Sequence, residues 1–111
     1  MGTLNLYYGR VLVGEITDPF QDQRTWFGYF TSRLPQNGNE TQRRLAEFVT
    51  FCERWHARLK SGDNPDANEF DAFGEVVRSG LWEIEDGRGG RSAVEGWPVF
   101  IDGEVTWAQR A

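Results

Sequence analysis

Apolar positions alternate with period two at both ends of the chain and recur at spacings of three and four in its middle. Leu4, Leu6 and Tyr8 alternate with Asn5 and Tyr7, which predicts a strand, and the β-rich run Val11 to Ile16 follows. With Gly9-Arg10 as a turn or bulge, residues 4–16 read as one bent strand or a short hairpin. "TDPFQDQR" (17–24) reads as a loop. "TWFGYFT" (25–31) alternates again, with Trp26, Gly28 and Phe30 on one face and Phe27 and Tyr29 on the other.

The period then changes. Asn39 caps a first helix, with Gln42 three residues on in a capping-box pattern. Leu45, Phe48, Val49, Cys52, His56 and Leu59 form its apolar stripe, Trp55 flanks it, and Ser61-Gly62 ends it. A second helix is predicted from Asn64 as cap and Pro65 at the first helical position, with Phe70, Phe73 and Val77 inward and Gly80 as the left-handed stop.

Strand periodicity returns at "LWEIE" (81–85), with Trp82 and Ile84 on one face. "DGRGGRSAVEG" (86–96) reads as a Gly-rich loop, and "WPVFIDGEVTWAQ" as a hairpin turning at Asp102-Gly103, a type I′ signal. In that hairpin Trp97, Val99 and Ile101 share one face, which leaves Phe100 on the other. The order is β-(β)-β-α-α-β-β-β. It predicts a two-layer α+β domain over residues 1–111: an antiparallel sheet of four to six strands with two consecutive helices on one face. Tyr7, Phe27, Tyr29 and Phe100 then have no helix to cover them.

Composition adds exclusions. At 111 residues the chain is long enough to bury roughly two-thirds of its unfolded surface without staples. Eight Phe, five Trp and three Tyr are available to fill the core. A net charge of −5 argues against nucleic acid, whose phosphates need a concentrated basic patch. The longest aliphatic run is Val11-Leu12-Val13, too short for a membrane helix. The start "MGTLNLYYGR" has no signal-peptide pattern, and Leu6 replaces the Ser or Thr a myristoylation motif wants after Met1-Gly2. One cysteine makes no internal disulfide, so an acidic, cytoplasmic protein is expected.

Candidate chemistry is sparse. Cys52 and His56 stand four apart on one helix face, but zinc needs further ligands and the chain holds no other Cys or His. A nucleophile–base pair needs exposure and a positive surrounding, whereas these residues sit in the apolar stripe, so a core role is expected for both. "GRGGRS" (87–92) lacks the helix start that a phosphate loop requires. Asp63, Asp66, Glu69, Asp71 and Glu75 read as a solvated helix face without a calcium-loop ladder. No catalytic residue, cofactor or metal is expected.

"RLAEFVTFCERWHARLKSG", "EFDAFGEVVRSGLWEI" and "PVFIDGEVTW", preceded by "GEITDPFQDQRTWFGYF", resemble a group of small bacterial α+β proteins of unknown function. The resemblance covers most of the chain and implies a free-standing bacterial domain in which Trp55-His56 and Ser79-Gly80-Leu81-Trp82 are packing landmarks. The expected function is protein binding or homodimer formation through Tyr7, Phe27, Tyr29 and Phe100, with the acidic surface favouring a basic partner. The alternative is a small-molecule binder or enzyme with a pocket between the first helix and the sheet, holding Cys52 and His56 with Trp26, Trp55 and Trp82 as walls. Of the two, binding without catalysis is the expectation.

Overall fold

The computed structural model describes residues 2–110; Met1, the first residue of the start motif weighed above, and Ala111 lie outside the described residues. The fold is α+β. Strands β1 (Thr3–Tyr8), β2 (Val11–Asp22) and β3 (Thr25–Ser32) precede helix α1 (Glu40–Lys60). A 3₁₀ helix (Ala67–Phe73) runs into the short α2 (Gly74–Val77), and β4 (Trp82–Glu85), β5 (Arg91–Ala93), β6 (Val99–Ile101) and β7 (Glu104–Ala108) follow. All seven strands form one antiparallel sheet in the order β5-β4-β1-β2-β3-β7-β6.

The sheet exceeds the predicted four to six strands for two local reasons. Residues 17–24, read as a loop, mostly continue β2. The register shifts between Thr17 and Phe20, with Asp18 at φ 50°, so a bulge carries Pro19, which has no N–H for the ladder, through the strand. The Gly-rich stretch shrinks to a tight turn. The Asp86 carboxylate accepts the N–H groups of Arg88 (2.8 Å) and Gly90 (2.9 Å), and residues from Arg91 onward pair with β4 as β5. The Asp102-Gly103 turn has positive φ at both residues, as expected. The β1–β2 hairpin settles residues 4–16 as two strands with a bulge at Leu6/Tyr7.

The second helical segment starts later than predicted and is mostly 3₁₀. Asp66, not Asn64, caps it: its side chain accepts from Asn68 N–H, and Glu69 returns a bond to Asp66 N–H. Pro65 is buried ahead of the cap.

The sheet curls. The open side of β7 is shared: its first half pairs with β6, while its end meets the chain beyond β5 through a Val94–Gln109 bridge. Glu95 N–H donates to Ala108 and Arg110 N–H to Ala93 in the same junction. The inner face holds Leu6, Ile16, Trp82, Ile84, Val94, Phe100, Val105 and Trp107, and Leu45, Phe48 and Cys52 of α1 close over part of it in one core cluster. Gly28 allows the curl. A Cβ there would stand 2.3 Å from Ile16 Cγ2 and 3.3 Å from the Thr17 carbonyl.

The helix stripe is turned slightly from the prediction. Phe51, omitted from it, packs on Phe70 and Phe73, while Leu59 is 46% exposed. Arg44 joins α1 to α2 by pairing with Glu75 at 3.0 Å and lying 4.1 Å over the Phe73 ring. Arg58 joins α1 to the 3₁₀ helix through Glu69 at 2.8 Å.

Candidate functional site

Helix α1 places Cys52 against the edge of β6, where its Sγ accepts the Phe100 N–H at 3.4 Å. An edge strand leaves such N–H groups unpaired, and a packed helix is one way to cover them. Burial, the largest influence, pushes the Cys52 thiol up to about 11, opposite to the lowering an activated nucleophile needs. His56 Nδ1 lies 2.8 Å from the Cys52 carbonyl. A carbonyl only accepts, so Nδ1 carries the proton. Trp55 and Phe70 flank the imidazole.

The expected pocket residues do not converge on one cavity. The space between α1 and the sheet is filled by Phe48, Trp82 and Phe100, with ring centroids 6.0–6.4 Å apart. Trp82 donates to the Val76 carbonyl and Trp55 to the Asp66 carbonyl. Trp26 is elsewhere on the inner face, stacked on its cross-strand neighbour Trp107 at 6.0 Å.

The expected aromatic face is also redistributed. Phe100 is a correction: it is fully buried beneath α1, because Phe100 pairs with Val105 on the inner face of the β6–β7 hairpin. Tyr7 does lie on the outer face, but the Arg91 guanidinium covers its ring at 3.9 Å. Arg91 also pairs with Glu83 at 3.0 Å and Glu85 at 3.6 Å, and Glu83 chiefly holds its charge by raising its pKa. Phe27 and Tyr29 remain outward, and a residue absent from the prediction joins them. Phe20 stacks on Phe27 at 5.1 Å with 15° between the rings. Phe20 is 57% exposed and Tyr29 58%. Glu104 stands opposite Tyr29, and Asp22 stands opposite Thr25 beyond Phe27.

Phe20 was hidden because residues 17–24 look like a loop. Only the bulge restores the alternation that puts Phe20 beside Phe27.

Two cavities stand out among the described residues. One of about 490 Å³ lies beside the first half of α1, lined by Tyr8, Arg44, Glu47 and Glu75 among others. Arg44 pairs with both Glu47 and Glu75, so its central charges satisfy each other. The other, about 310 Å³, sits at the mouth of the curled sheet. Cys52, His56, Trp55 and Trp82 line neither. Among the described residues no three His, Cys, Asp or Glu side chains gather as a metal site would require, and no helix is long and apolar enough to cross a membrane.

Comparison with known proteins finds no matching family model, no similar curated protein and no similar solved structure.

Proposed function

We propose that this chain is a protein-recognition module whose contact surface centres on Phe20, Phe27 and Tyr29. The observation that carries the reading is the Phe20–Phe27 stack, held on an outer sheet face with more than half of Phe20 in solvent. Rigid aromatic side chains give large desolvated area at low entropic cost, and such clusters concentrate binding energy at interfaces. The net charge of −5 and the neighbouring Glu104 and Asp22 favour a partner with a basic segment around an apolar anchor, and they disfavour a second identical copy.

A benzophenone amino acid at position 20 tests this. The expected result is a discrete cross-linked partner that excess unlabelled protein competes away and that weakens at high salt. The same probe at Arg54, on the exposed side of α1, is expected to capture nothing comparable. Equal products from both positions, or none from position 20, would defeat the reading. A cross-linked homodimer would make the partner a second copy.

A further inference from the structure

Glycine directly follows an Asn or Asp at three places: Asn37-Gly38, Asp86-Gly87 and Asp102-Gly103. In such a pair the glycine nitrogen can attack the preceding side-chain carbonyl, because no Cβ blocks the approach and the backbone turns freely. The structure separates the three. The Asp86 carboxylate accepts the N–H groups of Arg88 and Gly90, which hold its carboxyl below the usual range, and an ionised carboxylate is a poor electrophile. Asp102 is paired with Lys60 of α1 and fixed in its turn at φ 50°. Asn37 has no such restraint. It is exposed in the turn between β3 and α1, and neither its carboxamide nor the Gly38 N–H has a hydrogen-bond partner among the described residues. The other asparagines are held. Asn5 lies in β1 and its carboxamide donates to Glu85 at 3.2 Å, while Asn39 caps α1 by accepting the Gln42 N–H at 2.8 Å. Asn64 precedes Pro65, which has no N–H, and Asn68 is inside the 3₁₀ helix.

We propose that Asn37-Gly38 is a site of spontaneous deamidation that acts on the start of α1. The Gly38 nitrogen gives up its proton to base and bonds to Asn37 Cγ. The side-chain nitrogen leaves as ammonia, and a five-membered imide remains. Water then opens the imide at one of its two carbonyls. Opening at the side-chain carbonyl gives aspartate. Opening at the main-chain carbonyl gives isoaspartate, in which the backbone runs through the former side chain and is one carbon longer. The step needs only base and water. Its position links it to the helix, because residue 37 stands two places before the cap Asn39. Gly38 lies against the returning arm of the capping box. A Cβ on Gly38 would be 2.5 Å from Gln42 Oε1, the atom that accepts the Asn39 N–H at 2.8 Å. A longer backbone between residues 37 and 38 pushes Gly38 against that arm. An ordinary aspartate keeps the backbone and sets a negative charge near the positive end of the helix. The two products therefore act on α1 in opposite directions. The site is independent of the outer aromatic face and stands whether or not that face binds protein.

Ageing the full-length protein in neutral and mildly alkaline buffer at physiological temperature tests the assignment. Ion exchange reads the gain of negative charge. Peptide mapping with an isoaspartyl methyltransferase locates the isoaspartate. The expected result is an acidic species that grows faster at the higher pH, with isoaspartate at position 37 as the larger product. Asn37→Gln should lose this conversion, since its longer side chain would have to close a six-membered ring, while it folds like the parent at an exposed turn. In urea unfolding the purified isoaspartate form is expected at a lower midpoint than the unaged protein, and Asn37→Asp at the same midpoint or a higher one. An absence of isoaspartate at position 37, equal acidic gain in Asn37→Gln, or conversion chiefly at Asp86 or Asp102 would overturn the site. An isoaspartate form as stable as Asn37→Asp would overturn its action on the capping box.

Discussion

Cys52 acts through its sulfur as a backbone acceptor, and its worth is structural. The residue is buried, it caps the Phe100 N–H of edge strand β6, and its own carbonyl accepts a hydrogen bond from His56 Nδ1–H. Truncating Cys52→Ala removes buried volume and leaves a buried N–H without an acceptor, at an expected cost of about 2 kcal/mol in chemical denaturation. The thiol's raised pKa also sets a pH dependence. Burial favours the neutral form, so this contribution is complete below the unfolded thiol's value, near 9, and is lost as pH rises through about 11. The expected outcome is slow thiol labelling at neutral pH and an alkaline loss of stability that is smaller in Cys52→Ala. Fast stoichiometric labelling would contradict the assignment. Cys52 was legible as a core residue because helical spacing places it on the apolar stripe, whereas His56 on the same stripe is only half-buried. Their hydrogen bonds were not, because they depend on where β6 crosses α1.

At the scale of elements, β2 and β3 matter most, since this hairpin carries Trp26 toward the cavity and Phe20 and Phe27 toward solvent. Gly28 lies between them, and a methyl group there would meet Ile16 Cγ2 at 2.3 Å and backbone at 3.3 Å. Gly28→Ala is expected to destabilise by about 1–3 kcal/mol, the range for overpacking, as read by urea unfolding. A neutral effect would mean that β2 and β3 separate easily. α1, with its Asn39–Gln42 capping box, and the Asp102-Gly103 turn were readable because local chemistry decides them. The bulge past Pro19 was not readable, because the Asp-Pro pair signals a turn and only pairing with residues 25–27 keeps residues 20–22 in the strand. The inward side of Phe100 was misread for a related reason. In a three-residue strand such as β6 alternation alone does not fix the face, and packing on Phe48 and Phe30 does.

For the whole molecule, the Val94–Gln109 junction curls seven strands around one core and leaves Phe20 and Tyr29 more than half exposed on the outer face. The class and the antiparallel sheet followed from period and turns. The curl did not, since it rests on the long-range bonds of residues 93–95 to 108–110. The proposed recognition role of Phe20 and Tyr29, each with more than half of its surface in water, requires that neither be needed for folding. The direct measurement pairs thermal unfolding with partner binding for the Phe20→Ser, Tyr29→Ser double variant. Surface substitutions of this kind cost within about 0.5 kcal/mol each, so a Tm within about 5 °C of the parent is expected. Binding of the partner captured at position 20 should fall by about tenfold or more, as for the loss of interface anchors. A large drop in Tm with binding intact would contradict the claim and make the aromatic pair part of the fold.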